Sequence, residues 1–150
     1  VVTCCPGCLI QLREHHDLNS IEVLHHTQFF DRVLEDPPQY HSDTEYPYHD
    51  PCELHRISGV KREPRSLMRK LGVKFREMDL SCCGGGGLLR ATDPELSDKI
   101  MAVRSKKEHL DGATVLTCCP SCREQFLSAG INTKDIVEIL DEAFEQEATT

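Results

Sequence analysis

From residue 44 onward, apolar positions alternate between short strand-like runs and stretches with helical spacing. Alternating or continuous apolar runs predict three strands, at 45–49, 73–78 and 113–117. Apolar residues at helical spacing, with proline or a capping residue at the start, predict helices at about 64–70, 94–111, 120–127 and 135–145. Strands that alternate with helices predict an α/β fold: a doubly wound, mostly parallel sheet with helices on both faces, Rossmann-like.

Two of these helices show an apolar stripe that indicates their inward face. The helix after the Thr92–Glu95 capping box is expected to bury Leu96, Ile100, Val103 and Leu110. The last helix is expected to bury Ile136, Ile139, Leu140 and Phe144. Both stripes predict helices that lie against the sheet.

The chain also contains an internal repeat. Val1–Cys8 and Val115–Cys122 are identical at six of eight positions. Further along each copy, Leu18-Asn19-Ser20 resembles Ile131-Asn132-Thr133. Self-similarity over a domain-sized distance indicates duplication of a structural unit.

The repeat predicts a domain organisation. We expect residues 1–36 to be the C-terminal tail of a preceding unit and residues 44–150 to be a complete second unit. Residues 37–43 are polar and rich in proline, which is typical of a linker. Because the chain begins inside a motif, we expect it to be a fragment of a longer polypeptide.

Composition and charge disfavour several classes of function. The formal net charge is −8, and a surface of that sign repels nucleic acid and anionic lipid. No run of apolar residues approaches the roughly 18 needed to span a bilayer. We expect a cytoplasmic protein that binds no nucleic acid and reaches the inner face of a membrane only through a complex.

Nine cysteines are the main candidates for chemistry, and they occur in tight groups. These groups are Cys4-Cys5-x-x-Cys8, Cys52, Cys82-Cys83 and Cys118-Cys119-x-x-Cys122. Disulfide frameworks belong mostly to small secreted domains with dispersed cysteines, and bridges between adjacent cysteines are strained. A chain of 150 residues can fold without such bridges, so the pattern favours metal or redox chemistry.

Five of the cysteines are predicted to meet at one edge of the sheet. Cys52 follows the first predicted strand, Cys82 and Cys83 follow the second, and Cys119 and Cys122 follow the third. In open α/β sheets, ligands bind at the carboxyl ends of the strands. We therefore expect the sulfur atoms of these five residues to share one pocket.

The spacing of these thiols leaves three kinds of site open. A C-x-x-C at a helix start suits zinc, an iron–sulfur cluster or a dithiol redox pair, since the helix N-terminus stabilises a thiolate. The run Gly84–Gly87 can donate N–H groups to sulfur, and Leu88 and Leu89 follow it where a P-loop requires Lys and Ser or Thr. Five thiolates exceed the four of a tetrahedral zinc site, which favours an iron–sulfur cluster used in electron transfer.

The other cysteines receive different interpretations. Cys118 and Cys4 each precede a C-x-x-C at the end of a predicted strand, where a free cysteine usually packs as a small buried apolar residue. Cys4, Cys5 and Cys8 look like the last ligand group of the preceding unit, and Cys5 and Cys8 form a second, incomplete site.

Most histidines and basic residues are expected to face solvent. His49 is the exception, since it lies three residues before Cys52 and could donate to a sulfur atom of a cluster. For Arg56, Lys61 and Arg65 we expect a solvated helix face, with steering of an anionic substrate as the alternative. The histidines expected at the surface are His15, His16, His25, His26, His41, His55 and His109.

Three motifs together resemble the cysteine-rich CCG domain family: Tyr48-His49-Asp50-Pro51-Cys52, Ser81-Cys82-Cys83-Gly84 and Cys119-Pro120-Ser121-Cys122. This domain occurs, usually twice per polypeptide, in B-type subunits of heterodisulfide reductase. It also occurs in iron–sulfur subunits of glycolate and lactate oxidation systems and in related succinate dehydrogenase subunits. The resemblance covers the second unit fully and the first unit from Cys5 onward.

The resemblance implies a set of ligands and a function. In the reductase subunits, each five-cysteine set binds a noncubane [4Fe-4S] cluster. Carried over residue by residue, this assigns the cofactor to Cys52, Cys82, Cys83, Cys119 and Cys122. The closing pair of the preceding domain would be Cys5 and Cys8. The implied function is that of an iron–sulfur electron-transfer domain in an oxidoreductase subunit, with other subunits of a redox complex, among them a flavoprotein, as partners.

Two alternatives stay open. The first is a zinc-binding docking module of a redox complex without redox chemistry of its own, since some relatives hold zinc in one domain. The second is a dithiol switch that uses Cys119 and Cys122.

Overall fold

The computed structural model describes residues 1–15, 17 and 20–149. His16 and the Leu18-Asn19 part of the internal repeat lie outside the described residues, so the predictions made for them stay predictions. Within the described ranges, the chain forms parallel strands flanked by helices.

The N-terminal segment forms a small β–α–β–α unit. Its elements are β1 (Val2–Thr3), α1 (Pro6–Glu14), β2 (Leu24–His25) and α2 (His26–Val33). Strands β1 and β2 pair in parallel. Helix α1 has proline in its first turn, where the missing N–H of proline leaves no helical hydrogen bond unmade.

Residues from Tyr46 onward form the main sheet and its helices. The strands are β3 (Tyr46–Tyr48), β4 (Phe75–Glu77), β5 (Thr114–Thr117) and β6 (Asn132–Asp135). The helical elements are a π-helical turn (Glu53–Ile57), α3 (Arg62–Lys70), α4 (Leu89–Thr92), α5 (Pro94–Lys107), α6 (Pro120–Ser128) and α7 (Ile136–Ala148). The strand pairs are parallel, and the order across the sheet is β4-β3-β5-β6.

This strand order creates a switch point between β3 and β5. The chain passes from β3 to β4 on one side, then returns to β5 on the other side and continues to β6. At such a reversal the connections leave in opposite directions and open a crevice at the carboxyl ends of the strands. Tyr48 of β3 pairs with Leu116 of β5, so the segments that follow these two strands begin side by side.

The prediction of a mostly parallel α/β fold is confirmed, and the predicted strands lie within a few residues of the observed ones. Helix α3 begins two residues before Pro64, which lies inside its first turn. Strand β6 and the short helix α4 are missed by the sequence analysis. Asn132–Asp135 is polar and Leu89–Thr92 is short, so neither shows a period of apolar residues.

Helix α5 is rotated relative to the predicted apolar stripe. Leu96 and Val103 are 44% and 70% exposed, whereas Ser97, Met101 and Arg104 face the interior. The prediction is therefore wrong for Leu96 and Val103, whereas Leu110, just beyond the end of the helix, is buried as predicted. Ser97 and Arg104 make interior hydrogen bonds, and burying these polar groups with partners outweighs the exposure of two apolar side chains.

Helix α7 follows its prediction except near its end. Ile136, Ile139 and Leu140 are buried, but Phe144 is 43% exposed and Ala143 occupies the interior position beside it. Within the described ranges, no helix has both the length and the apolar character needed to cross a bilayer.

The N-terminal segment packs into the same hydrophobic core as the main sheet. Leu9 of α1 belongs to the buried cluster that contains Leu54 and Leu67. Lys70 Nζ donates to the carbonyl oxygen of Asp31 at 2.5 Å and lies 3.0 Å from its carboxylate. These contacts join α2 to α3.

The connection between the two segments also makes specific contacts. Tyr40 is buried, its hydroxyl lies 3.0 Å from that of Tyr46, and it donates to Glu142 at 3.1 Å. Residues 37–43 are therefore anchored at Tyr40 to both β3 and α7.

Candidate metal centre

The thiols of five cysteines meet beyond the carboxyl ends of three neighbouring strands. Cys52 opens the π-helical turn after β3, and Cys82 and Cys83 lie in the glycine loop, residues 81–87, after β4. Cys119 and Cys122 lie at the start of α6, after β5. The site thus occupies the crevice at the switch point, where open α/β sheets bind ligands.

The five sulfur atoms form a continuous row of contacts. Cys52 Sγ lies 3.9 Å from Cys82 Sγ, and Cys83 Sγ lies 3.3 Å from Cys122 Sγ. Cys82 and Cys83, and likewise Cys122 and Cys119, are close enough for one thiol to shift the pKa of the other. None of these five cysteines forms a disulfide bond. The fold therefore brings three sequence-distant groups of thiols into one row.

Two glycines shape the loop that carries Cys82 and Cys83. Gly84 has a φ of +82°, which residues with a side chain rarely adopt, and its N–H donates to Cys82 Sγ at 3.3 Å. The N–H of Gly85 donates to Cys83 Sγ at 3.4 Å. A Cβ atom on Gly85 would lie only 2.7 Å from Cβ of Gln125. These positions require glycine because the backbone must turn its N–H groups toward sulfur and pack closely on α6.

Two of the thiols favour the ionised form. A hydrogen bond from the Cys52 thiol, supported by the Gly84 N–H, lowers the pKa of Cys82 to about 2. The Cys122 thiol and the N–H groups at the start of α6 lower the pKa of Cys119. Both shifts favour the thiolate over the thiol at Cys82 and Cys119.

The other three thiols favour the protonated form. The neighbouring Cys82 raises the pKa of Cys52, and Cys119 together with Cys83 raises that of Cys122. Cys122 lowers the pKa of Cys83, but Cys82 and burial outweigh this and raise it to about 11. A metal that binds all five must displace protons from these three thiols.

His49 and Arg104 form a buried pair beside the thiols. Arg104 Nη2 donates to His49 Nδ1 at 2.8 Å. A ring nitrogen of His49 lies within 4.8 Å of Cys83 Sγ and Cys122 Sγ. Burial and the charge of Arg104 lower the pKa of His49 to about 3, so the ring is neutral at pH 7. The fold thus places His49 where it can serve a group bound by the thiols.

Two polar side chains, from α5 and α6, hold the glycine loop in place through hydrogen bonds. Ser97 Oγ donates to the carbonyl oxygen of Gly84 at 2.8 Å, and Gln125 Nε2 donates to Ser97 Oγ at 3.0 Å. This chain of hydrogen bonds links the loop to both α5 and α6. It fixes the backbone whose N–H groups face sulfur.

Asp50 anchors the turn that presents Cys52. Its Oδ2 accepts from Arg65 Nη2 at 2.7 Å and lies 2.6 Å from His55 Nδ1. Arg65 also pairs with Glu77, with its Nε 2.7 Å from the carboxylate. The prediction of a solvated face for Arg65 is therefore wrong, because its side chain is only 16% exposed and its guanidinium is held by two carboxylates.

Sequence reasoning missed three residues that support the site. Ser97, Arg104 and Gln125 are polar and lie on helices, so their spacing alone suggests a solvent-facing role. One pattern could have indicated the correct face: Ser97, Met101 and Arg104 recur at helical spacing, in competition with the stripe that begins at Leu96.

The N-terminal C-x-x-C forms a separate turn. Cys5 is the N-cap of α1, and its Sγ accepts from the N–H of Cys8 at 3.4 Å. The Glu53 carboxylate lies beside this turn, 3.3 Å from where a Cβ on Gly7 would lie. A hydrogen bond with Cys5 is the main cause that raises the pKa of Cys8, and Glu53 adds to it. Cys5 and Cys8 are thus adjacent, as expected for a pair of ligands.

Several cysteines and histidines outside the row differ in their surroundings. Cys118 is fully buried, with Sγ 3.5 Å from the hydroxyl of Tyr48, which confirms core packing for it. Cys4 is exposed, so the expectation of burial is wrong there. His25 and His26 are buried, contrary to the prediction, because the β2–α2 corner packs against Asp135 at the end of β6. The histidines that are exposed as predicted are His15, His41 and His109.

The residues present fit an iron–sulfur cluster. Among the described residues, the compact set that could hold one ion is His49, Cys83 and Cys122, while Cys52 and Cys119 lie at the two ends of the row. The row therefore extends beyond a site for a single ion. Soft thiolates are the ligands of such clusters, and N–H groups of the glycine loop can bond to cluster sulfur.

Comparison with known proteins identifies relatives among the components of reductases. One component of the dihydromethanophenazine:CoB–CoM heterodisulfide reductase from Methanosarcina barkeri is 36% identical over 141 residues, which cover 81% of this chain. A component of the fumarate reductase (CoM/CoB) from Methanothermobacter marburgensis is 29% identical over 157 residues, covering 96%. An iron–sulfur protein from Methanococcus maripaludis is 30% identical over 162 residues, covering 94%. The chain spans 34%, 32% and 32% of these relatives, about a third of each.

The family model of the cysteine-rich domain called CCG matches residues 46–127, more than half of the chain. The matched stretch begins at β3 and ends in α6, so it contains all five thiols of the row. The sequence motifs, the convergence of the thiols and the family match all indicate the same family. The chain belongs to the CCG cysteine-rich domain family.

Proposed function

We propose that this chain is an iron–sulfur electron-transfer domain of an oxidoreductase subunit. In this proposal a [4Fe-4S] cluster is held by Cys52, Cys82, Cys83, Cys119 and Cys122. The observation that carries the proposal is the continuous row of five free thiols in the crevice at the switch point. When bound, the cluster would supply one-electron chemistry, and the chain would hold it and donate hydrogen bonds to its sulfur.

The number of thiols supports a noncubane form. Cubane clusters take four cysteine ligands, and the row contains five thiols in contact. The N–H groups of Gly84 and Gly85 are aimed at Cys82 and Cys83, the second and third thiols of the row. Such donors offset the negative charge that a thiolate-bound cluster carries.

The names of the relatives support the class of function. Two are components of heterodisulfide and fumarate reductases, and the third is an iron–sulfur protein. We propose that this chain likewise works with other subunits of a redox complex, including a flavoprotein, on the cytoplasmic side.

The order of elements supports the proposed domain organisation. The segment β1-α1-β2-α2 has the same order as β5-α6-β6-α7, and in both the two strands pair in parallel. In both, a cysteine lies at the N-cap of the first helix and proline in its first turn. We propose residues 1–36 as the tail of a preceding repeat, 37–43 as the linker and 44–150 as a complete domain. Cys5 and Cys8 would then close a second site.

A zinc-binding docking module is the rival function, and one observation favours it. The compact set of His49, Cys83 and Cys122 has the size of a single-ion site. In that case zinc would stabilise the fold, and the domain would dock a flavoprotein without electron transfer of its own. Metal content distinguishes the two functions.

The test is metal analysis of the 150-residue chain after anaerobic purification and reconstitution with iron and sulfide. We expect a brown protein with broad absorbance near roughly 400 nm and several irons per chain. Cys83→Ser should lose the colour and the iron. Cys118→Ala is the matched control, since it removes a buried thiol outside the row, and it should keep both.

Two outcomes would contradict the proposal. A colourless protein with one tightly bound zinc per chain would favour the docking module. Equal loss of iron in the Cys83 and Cys118 variants would show that general destabilisation, and not the removal of a ligand, explains the effect.

A further inference from the structure

His49 and Arg104 lie at the candidate site but are not among the five proposed ligands. His49 is fully buried, and Arg104 is 4% exposed. Within the described residues, Nε2 of His49 has no hydrogen-bond partner although it is buried. A buried N–H or nitrogen lone pair without a partner is destabilising and rare in folded proteins, so such an atom indicates a missing partner.

The contact with Arg104 determines which ring nitrogen of His49 carries the proton. A guanidinium group only donates hydrogen bonds, so Nδ1 of His49 must accept at this 2.8 Å contact. A neutral imidazole then carries its proton on Nε2. Arg104 cannot easily turn away, because Nη2 also donates to the carbonyl oxygen of Asp79 at 2.9 Å and Nη1 donates to Ser81 Oγ.

The ring of His49 is held in a defined orientation toward the thiols. The ring packs in an edge-to-face arrangement with Phe126, with ring centroids 5.1 Å apart, and the backbone N–H of His49 donates to the carbonyl oxygen of Leu116 at 2.8 Å. A ring nitrogen lies within 4.8 Å of Sγ of Cys83 and Cys122. Because Arg104 occupies Nδ1, Nε2 is the nitrogen free to bond to a group held by these thiols.

A protonated Nε2 can donate a hydrogen bond, but it has no lone pair for a metal. We propose that His49 donates its Nε2–H to a sulfur atom of the bound iron–sulfur cluster, and that Arg104 is a positioning residue that sets this tautomer. The inference rests on the proposed function, since it needs a cluster in the site. It also distinguishes this site from a zinc site with histidine as a ligand. A zinc ion bound at Nε2 would require the proton on Nδ1, where it would face the N–H donor of Arg104.

His49 and Arg104 should both raise the reduction potential of the cluster. A hydrogen bond to cluster sulfur stabilises the more negative, reduced state and raises the reduction potential. Arg104 interacts electrostatically with Cys83 and Cys122. Its positive charge therefore also stabilises the reduced cluster and raises the reduction potential. Loss of either side chain should therefore make the cluster harder to reduce.

The experiment is an anaerobic redox titration of the reconstituted chain and four variants, followed by the colour of the cluster. For His49→Leu we expect about a tenfold smaller ratio of reduced to oxidised cluster at a fixed potential, which is 59 mV for one electron. Arg104→Met should shift the potential in the same direction. Arg104→Lys should stay close to the wild type, because an ammonium group can still donate to Nδ1. His26→Gln is the control for loss of a buried imidazole, and it should not shift the potential.

A spectroscopic measurement on the unmutated protein covers the case in which a variant does not hold its cluster. With ¹⁵N-labelled histidine, electron–nuclear double resonance of the reduced cluster should show a weak nitrogen coupling and an exchangeable proton. A strong coupling, typical of a directly bound nitrogen, would overturn the inference. Iron in the wild type with an unchanged potential in His49→Leu and Arg104→Met would overturn it while the proposed function stands. Absence of iron from the wild type would overturn both.

Discussion

Ser97 Oγ donates a hydrogen bond to the carbonyl oxygen of Gly84 at 2.8 Å, and this contact ties helix α5 to the loop that carries two of the thiols. Ser97 is fully buried and accepts in turn from Gln125 of α6. The position of the loop therefore depends on a hydrogen bond from a helix that contributes no thiol. This arrangement leads to a first prediction.

Ser97→Ala should destabilise the chain and weaken retention of a metal. The change leaves the Gly84 carbonyl and the Gln125 amide buried with one partner fewer, at a cost of about 1–3 kcal/mol. Urea unfolding at pH 7 measures the loss. Ser105→Ala, on the same helix but only half-buried, is the control and should change stability by less than about 0.5 kcal/mol. Equal effects of the two changes would contradict a special role for Ser97.

Gly85→Ala and Gly86→Ala should differ strongly, although they alter neighbouring residues. A Cβ on Gly85 would lie 2.7 Å from Cβ of Gln125 and 3.0 Å from the carbonyl oxygen of Ser121, so the loop or α6 must move, at a cost of about 1–3 kcal/mol. A Cβ on Gly86 would meet no atom within 4 Å. We expect Gly85→Ala to lower the urea midpoint and reduce iron content, and Gly86→Ala to retain both. Loss of iron from both variants would mean that flexibility of the whole glycine run matters, and not one close contact.

Stability should fall as the pH drops from 7 to 5, partly because of His25. Burial and the neighbouring His26 lower the pKa of His25 to about 4 from its ordinary value of 6.5. The unfolded chain then binds a proton more readily than the folded one, so stability is lost as the pH falls below 6.5, down to about 4. The difference amounts to about 2 kcal/mol between pH 7 and pH 5.

The comparison of His25→Gln with the wild type isolates this effect. Titrating groups that do not interact with His25 contribute equally to both proteins, so they cancel when urea unfolding is measured at the two pH values. We expect the variant to lose less stability on acidification, by about the 2 kcal/mol assigned to His25. An identical pH dependence in both proteins would contradict the assignment.

Asp50→Asn should destabilise the turn that presents Cys52. Asp50 is buried and pairs with Arg65 at 2.7 Å, and removing one partner of a buried pair costs about 3–5 kcal/mol. Glu77→Gln is the matched control, since Glu77 pairs with the same guanidinium at 2.7 Å but is 47% exposed. We expect its effect to be below about 1 kcal/mol. Unfolding in guanidinium chloride and iron content measure the effects of both variants. Similar losses of stability in the two variants would rule out the buried position of Asp50 as the cause.

The α/β fold could be predicted because its signal is local. Short apolar runs followed by helical periods identify β3, β4 and β5, and their ends locate the five cysteines near the carboxyl ends of parallel strands. Predictions failed where tertiary packing overrides local pattern. Helix α5 exposes Leu96 and Val103 because the interior beside the glycine loop accepts hydrogen bonds from Ser97 and Arg104.

By itself, the sequence determined the chemistry that is available: nine thiols in tight groups, a glycine run and a duplicated C-x-x-C motif. It also determined the strand–helix alternation, because side-chain periodicity is set residue by residue. The tertiary structure decided which groups face one another: the order of the thiols in the row, the contact of Arg104 with Nδ1 of His49, and the packing of Leu9 into the shared core. These depend on how far each helix is rotated and where distant strands pair, and both are set by packing between segments that are far apart in the chain.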